Sequence, residues 1–204
     1  MVQSGDELYV HVFIDHVDPD PKAVVEQLRP LAGETGPVRF AARYVGSFLA
    51  YVALDVAEPA AFERVQELIA DDLWRAGVRS NYSVEIGRRA LGPHRGSPIP
   101  DFCALVRIRS SEPFALVEAL DEWWNSTGYE PGDEHWYGSA VVSGRDLDVL
   151  LDLHEPSFDD LTRLVLQVIR GEDESAQRVR ELIISTDTSF AFLPNNAVRR
   201  EAGS

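Results

Sequence analysis

Four stretches of the chain carry apolar residues at helical spacing, and each follows an acidic residue and a proline: Asp20-Pro21, Glu58-Pro59, Glu112-Pro113 and Glu155-Pro156. Proline suits the first turn of a helix because its ring fixes φ and its missing N–H would be unbonded there, while an acid beside it favours the positive helix end. Val24, Val25 and Leu28 predict a first helix closed by Pro30 and Gly33, and Phe62, Val65, Leu68, Ile69 and Leu73 predict a second running to Gly77. A third carries Phe114, Leu116, Val117, Leu120 and Trp124 up to Gly128, and a fourth carries Leu161, Leu164, Val165, Val168 and Ile169 up to Gly171. Between them the period changes to two, predicting strands at 8–14, 38–45, 48–56 and 79–86, then at 102–109, 134–142, 147–153 and 179–186. Gly46-Ser47 and Ser143 to Asp146 read as the two hairpin turns.

The same order of elements occurs twice. Gly46 through Pro59 can be laid on Gly144 through Pro156 with a one-residue gap, and an apolar helix follows in both. The predicted fold class is therefore α+β: two tandem ferredoxin-like β-α-β-β-α-β units forming a pseudo-dimeric α+β barrel or sandwich, each sheet covered by helices on one face. The units span 5–90 and 101–195. A linker at 91–100 is rich in Gly and Pro (Gly92, Pro93, Gly96, Pro98, Pro100), and 196–204 reads as a flexible tail.

Charge narrows the partners. The formal net charge is -15, with 10 basic and 14 acidic residues in 1–100 against 9 and 20 in 101–204. A phosphate backbone would be repelled, so no direct nucleic-acid binding is expected. The clusters Arg88-Arg89 with Arg95, and Arg199-Arg200, fall in the linker region and the tail. No apolar run is long enough to cross a bilayer and the N-terminus lacks a signal-peptide pattern, so the expected location is the cytoplasm, away from membranes. Cys103, the single cysteine, lies in the apolar run 102–106 and reads as a small core residue.

The stretch Val142-Ser143-Gly144-Arg145-Asp146-Leu147-Asp148-Val149-Leu150-Leu151 resembles the hairpin of the C-terminal effector-binding domain of Lrp/AsnC-type regulators, with Gly144 and Asp146 at the matching turn positions. In the first half Val45-Gly46 matches, but Phe48 stands where the acid belongs. The resemblance implies a small-molecule sensing or oligomerising module that holds its ligand near Gly144, Asp146 and Gly46. Regulators of that family carry a helix-turn-helix before the domain, whereas here the first strand begins near Leu8.

Aromatic residues concentrate at Trp123-Trp124-Asn125-Ser126-Thr127-Gly128-Tyr129 and His135-Trp136-Tyr137. One reading is an aromatic-lined pocket with Trp123, Asn125, His135, Trp136 and Tyr137 as ligand-binding residues; the other makes Trp124 and Trp136 core or sheet-interface residues. His11, His16, His94 and His154 have no short-spaced ligand partner, so no metal site is expected, and His11 is expected to fill a sheet face. No carboxylate pair, phosphate loop or G-x-S-x-G stretch marks a catalytic residue, and no cofactor is expected. The expected function is a non-enzymatic small-molecule-binding or regulatory module, with a small-molecule effector and a protein partner or homo-oligomer. The alternative is a cofactor-independent enzyme of the dimeric α+β barrel type, monooxygenase- or cyclase-like. A third reading has the acidic second half binding a basic partner.

Overall fold

The computed structural model describes residues 8–15, 21–32, 38–55, 63, 67–75, 78, 82–91, 100–128, 136–143, 147–194 and 196–199. Along the chain run β1 (Leu8–Ile14), α1 (Pro21–Leu28), β2 (Val38–Arg43), β3 (Val45–Gly46), β4 (Ala50–Asp55), α2 (Leu73–Arg75) and β5 (Tyr82–Leu91). There follow β6 (Phe102–Arg109), α3 (Pro113–Ser126), β7 (Trp136–Ser143), β8 (Leu147–Glu155), α4 (Phe158–Arg170), α5 (Glu174–Leu182), β9 (Ser185–Phe192) and β10 (Ala197–Arg199). A π-helical turn, Leu68–Asp72, leads into α2. The result is a mixed α+β fold in two compact units, the described residues of 8–87 with 191–199, and those of 88–190.

In the first unit the strands stand in the order β10-β2-β4-β1-β5, and the pairs β1–β4, β2–β4 and β10–β2 are antiparallel. Alternation along β1 explains its two faces. Val10, Val12 and Ile14 pack with Val24, Val25 and Leu28 of α1 and with Val52 and Leu54 of β4 in one buried cluster, which leaves Tyr9, His11 and Phe13 on the opposite face. The register shift between Val38 and Phe40 turns Phe40 and Ala42 to that same opposite face, across from Ala53 and Tyr51.

The second unit repeats the strand order as β7-β8-β6-β9, with β6–β8 and β7–β8 antiparallel. Ala104, Val106 and Ile108 of β6 and Val149, Leu151 and Leu153 of β8 face Leu116, Leu120 and Trp124 of α3, Leu161, Val165 and Val168 of α4, and Val179 of α5. Pro113 opens α3 behind Glu112, as the sequence predicts. The fourth acid-proline step behaves differently: Glu155 ends β8 fully buried, and the cap of α4 is Ser157, whose Oγ accepts from the Asp160 N–H at 3.1 Å.

Two expected boundaries change. The predicted strand at 179–186 overlaps helix α5, because Asp173 caps it (Oδ1 accepting from the Ala176 N–H at 2.9 Å) and Ala176 and Val179 bury at helical spacing. The last strand starts at Ser185 instead. Ala197–Arg199, in the stretch expected as a tail, pair with β2, and residues 92–99 of the expected linker lie outside the described residues. Among the described residues no helix is long and apolar enough to cross a membrane.

Candidate functional site

On the face of the first unit's sheet away from α1, aromatic side chains fill the alternate positions. Tyr9, Phe13, Tyr44, Phe48 and Tyr51 are all buried, and the rings of Phe13 and Tyr51, Phe13 and Phe48, and Tyr44 and Phe48 lie 5.3, 5.4 and 5.1 Å apart. Edge and tilted contacts of this kind stabilise beyond area alone and hold the rings at fixed angles. His11 sits among them, 5% exposed, directly opposite Ala53, with Tyr51 two residues along the neighbouring strand. Its Nδ1 lies 2.6 Å from the Tyr51 hydroxyl, and the two rings stack at 5.9 Å. Its Nε2 is buried and has no hydrogen-bond partner among the described residues.

Burial removes the water that would solvate an imidazolium, and the His11 pKa falls to about 4. At neutral pH the ring is uncharged and carries one N–H. If Nδ1–H donates to Tyr51 Oη, Nε2 presents a lone pair to the aromatic face; if the Tyr51 hydroxyl donates, Nε2 carries the proton. Either way one ring nitrogen is engaged with Tyr51 and the other is buried on the aromatic face. Glu85 of β5 is also buried and alternates with Tyr82, which packs on the helix side, so Glu85 belongs to the same face as His11.

The corresponding face of the second unit sets charged and polar groups beside the buried Leu105 and Leu150. Arg107 Nε donates to Asp148 Oδ2 at 2.7 Å, and Arg109 Nε lies 3.9 Å from Asp148 Oδ1, which compensates the charge of a carboxylate only 3% exposed. Further along, Cys103 of β6 stands directly across from His154 of β8. Asp152, two residues before His154 on the same strand, accepts from the Cys103 thiol at 3.3 Å and lies 3.0 Å from His154 Nε2.

The residues singled out from the sequence are distributed otherwise. Trp123 is 1% exposed in the core under α3, and Tyr137 is buried there with its ring stacked on Trp124 at 4.9 Å and 15°. Burial pushes the Tyr137 phenol well above its ordinary pKa. Asn125 is exposed on α3, Trp136 occupies the β7 position across from His154, and Gly46 ends β3 with a φ of 145° that a side chain would strain. His135, Gly144 and Asp146 lie outside the described residues. His11 does fill a sheet face. Its Tyr51 partner, and the meeting of Cys103 with Asp152 and His154, depend on strand register that sequence spacing does not carry; the alternation Asp152-Leu153-His154 was the one available signal that two of the three share a face.

No protein-family model and no curated protein matches the chain. Among solved structures it is similar to an anthrone oxidase-like protein at 14% identity over 97% of this chain and 95% of the other, with a TM-score of 0.62. It is also similar to a monooxygenase-like protein from Lactobacillus acidophilus NCFM (10% identity, 95% and 96% covered, TM-score 0.60) and to the siroheme decarboxylase NirDL (9% identity, 96% and 74% covered, TM-score 0.61). Identities this low carry the fold and nothing finer.

These neighbours correct two expectations. The structures with a similar fold are monooxygenase-, anthrone oxidase- and chlorite dismutase-like proteins, which overturns the expected match to Lrp/AsnC effector domains. A glycine and an acid at a hairpin turn satisfy any hairpin in this order of elements, which is why the resemblance at Gly144 and Asp146 misleads. The expectation of a non-enzymatic regulatory module falls with it, because the similar structures are enzyme-like.

Proposed function

We propose that the protein is a cofactor-independent enzyme of the dimeric α+β barrel type, acting on a flat, hydrophobic, enolisable ring substrate with dioxygen as co-reactant. The observation that carries this reading is His11: a neutral imidazole, held by Tyr51, whose Nε2 is buried on a wall of aromatic rings without a hydrogen-bond partner among the described residues. Aromatic walls bind a planar apolar substrate, and a few polar groups, His11 first among them, set its orientation. The names of two structural neighbours, anthrone oxidase-like and monooxygenase-like, supply the reaction class.

In the proposed step His11 Nε2 takes a proton from a ring methylene flanked by aryl groups. The carbanion that forms beside the new imidazolium stabilises it by charge pairing, which lifts the His11 pKa within the complex. Dioxygen then oxidises the carbanion; the methylene and O2 end as a ring carbonyl and water, with the proton returned from His11. The step uses the tautomer in which Nδ1–H donates to the Tyr51 hydroxyl and Nε2 is the base.

The shared strand order of the two units further supports reading the chain as one βαββαβ unit duplicated in tandem, the pseudo-dimeric form of the barrel architecture. The test of the activity is oxygen uptake with anthrone-class ring ketones, with no cofactor added. Wild-type turnover that falls at least about 100-fold in His11→Gln, the usual scale of a general base, supports the reading. No uptake above buffer for any such substrate, or equal rates in the variant, overturns it.

A further inference from the structure

We propose that Cys103, Asp152 and His154 form a binding site for a thiophilic divalent cation of the Zn2+ class, an inference that does not rest on the reading of His11. The three side chains offer one ligand atom each, all within 4.8 Å of one another. Their types suit such an ion: a thiol, an imidazole and a carboxylate are the donors that bind zinc, and the set has too few oxygens for calcium or magnesium.

The distances agree with the chemistry. Tetrahedral zinc with bond lengths near 2.0–2.3 Å separates its nitrogen and oxygen ligands by about 3.4 Å and its sulfur and oxygen ligands by about 3.6 Å. In the structure His154 Nε2 and Asp152 Oδ1 are 3.0 Å apart, and Cys103 Sγ and Asp152 Oδ1 are 3.3 Å apart. Opening each gap by a few tenths of an ångström admits the ion, a movement within the reach of side-chain torsions.

Position favours the site as well. Cys103 and His154 are cross-strand partners on β6 and β8, and Asp152 shares the β8 face, so all three project from paired strands rather than from a loop. Cys103 and His154 are buried, whereas the Asp152 side chain is 31% exposed and gives an incoming ion its path. Three protein ligands leave a fourth position open for water or a ligand. On binding, the thiol gives up its proton, and thiolate and carboxylate together balance the charge of the ion.

Titration of the metal-stripped full chain with Co2+ reads the site directly. Binding of one ion per chain should raise a thiolate-to-cobalt charge-transfer band in the near ultraviolet, which Zn2+ then displaces. Cys103→Ser should lose that band, and Asp152→Asn and His154→Ala should each weaken binding at least about 100-fold, beyond the 10–100-fold cost of losing an outer partner. Circular dichroism checks that each variant is folded. A second readout needs no ligand variant: because Cys103 is the only cysteine, Zn2+ should slow alkylation of the single thiol in the wild-type chain. Absence of the near-ultraviolet band, Co2+ binding equal in all variants, or alkylation indifferent to Zn2+ overturns the site and leaves a hydrogen-bonded triad.

Discussion

Lowering the pH from 7 to 5 is expected to remove about 2 kcal/mol of folding stability through His11 alone. The folded-state pKa of about 4 lies below the roughly 6.5 of an exposed imidazole. As the pH falls, the unfolded chain therefore takes up the proton before the folded one can. Stability contributed by the neutral ring is present above about pH 6.5, declines through pH 5 and is lost by about pH 4, where the full difference reaches about 3 kcal/mol. Carboxylates and the other histidines also titrate in this range, so the informative quantity is the difference between wild type and His11→Gln. Glutamine keeps a polar partner for the Tyr51 hydroxyl and does not titrate. Urea unfolding of both proteins at half-unit steps from pH 7.5 to 4.5 gives that difference, followed by far-ultraviolet circular dichroism. Parallel stability curves for the two proteins would refute the claim that burial holds this imidazole neutral.

Other consequences follow from the same geometry. If His11 is the base, kcat/KM should stay flat on the acid side down to about pH 5, since the free-enzyme pKa is about 4; an acid limb near pH 6.5 would contradict it. Trp124→Ala should cost about 3–5 kcal/mol, because a buried ring stacked on Tyr137 leaves a cavity in the second unit's core. Ser157→Ala should cost about 1 kcal/mol by releasing the Asp160 N–H at the start of α4. Gly171→Ala should destabilise the same region, since an added Cβ would stand 2.4 Å from the Gln167 carbonyl oxygen; thermal melts of the three variants give their order.

Periodicity and punctuation made most of the architecture legible. Leu8–Ile14 and Phe102–Arg109 read as strands at their observed bounds because β-branched and apolar residues alternate there, and Pro113 marks the start of α3. The short apolar run around Leu182, Ile183 and Ile184 looks strand-like on composition, but Asp173 and the helical spacing of Ala176 and Val179 decide it as helix. At Glu155-Pro156 the acid belongs to the end of β8 and the serine after the proline is the cap, a distinction that needs the strand's length. The aromatic cluster around Trp123 and Tyr137 stands out by composition, yet Trp123, Trp124 and Tyr137 pack the core. His11, inconspicuous in sequence, gains its character from burial and from a hydroxyl 40 residues away in the chain. Chemistry that depends on cross-strand register stays hidden until the strands are paired.

The central claim is that the His11 Nε2 atom meets the substrate. Nitrogen-15 NMR of the imidazole, recorded at neutral pH while an aromatic enol or phenol analogue is added, tests it most directly. The account expects a neutral ring in the free protein and a saturable shift of the Nε2 resonance toward its imidazolium value as the analogue binds. A ring already charged in the free protein, or an Nε2 signal unmoved at saturation, would contradict it.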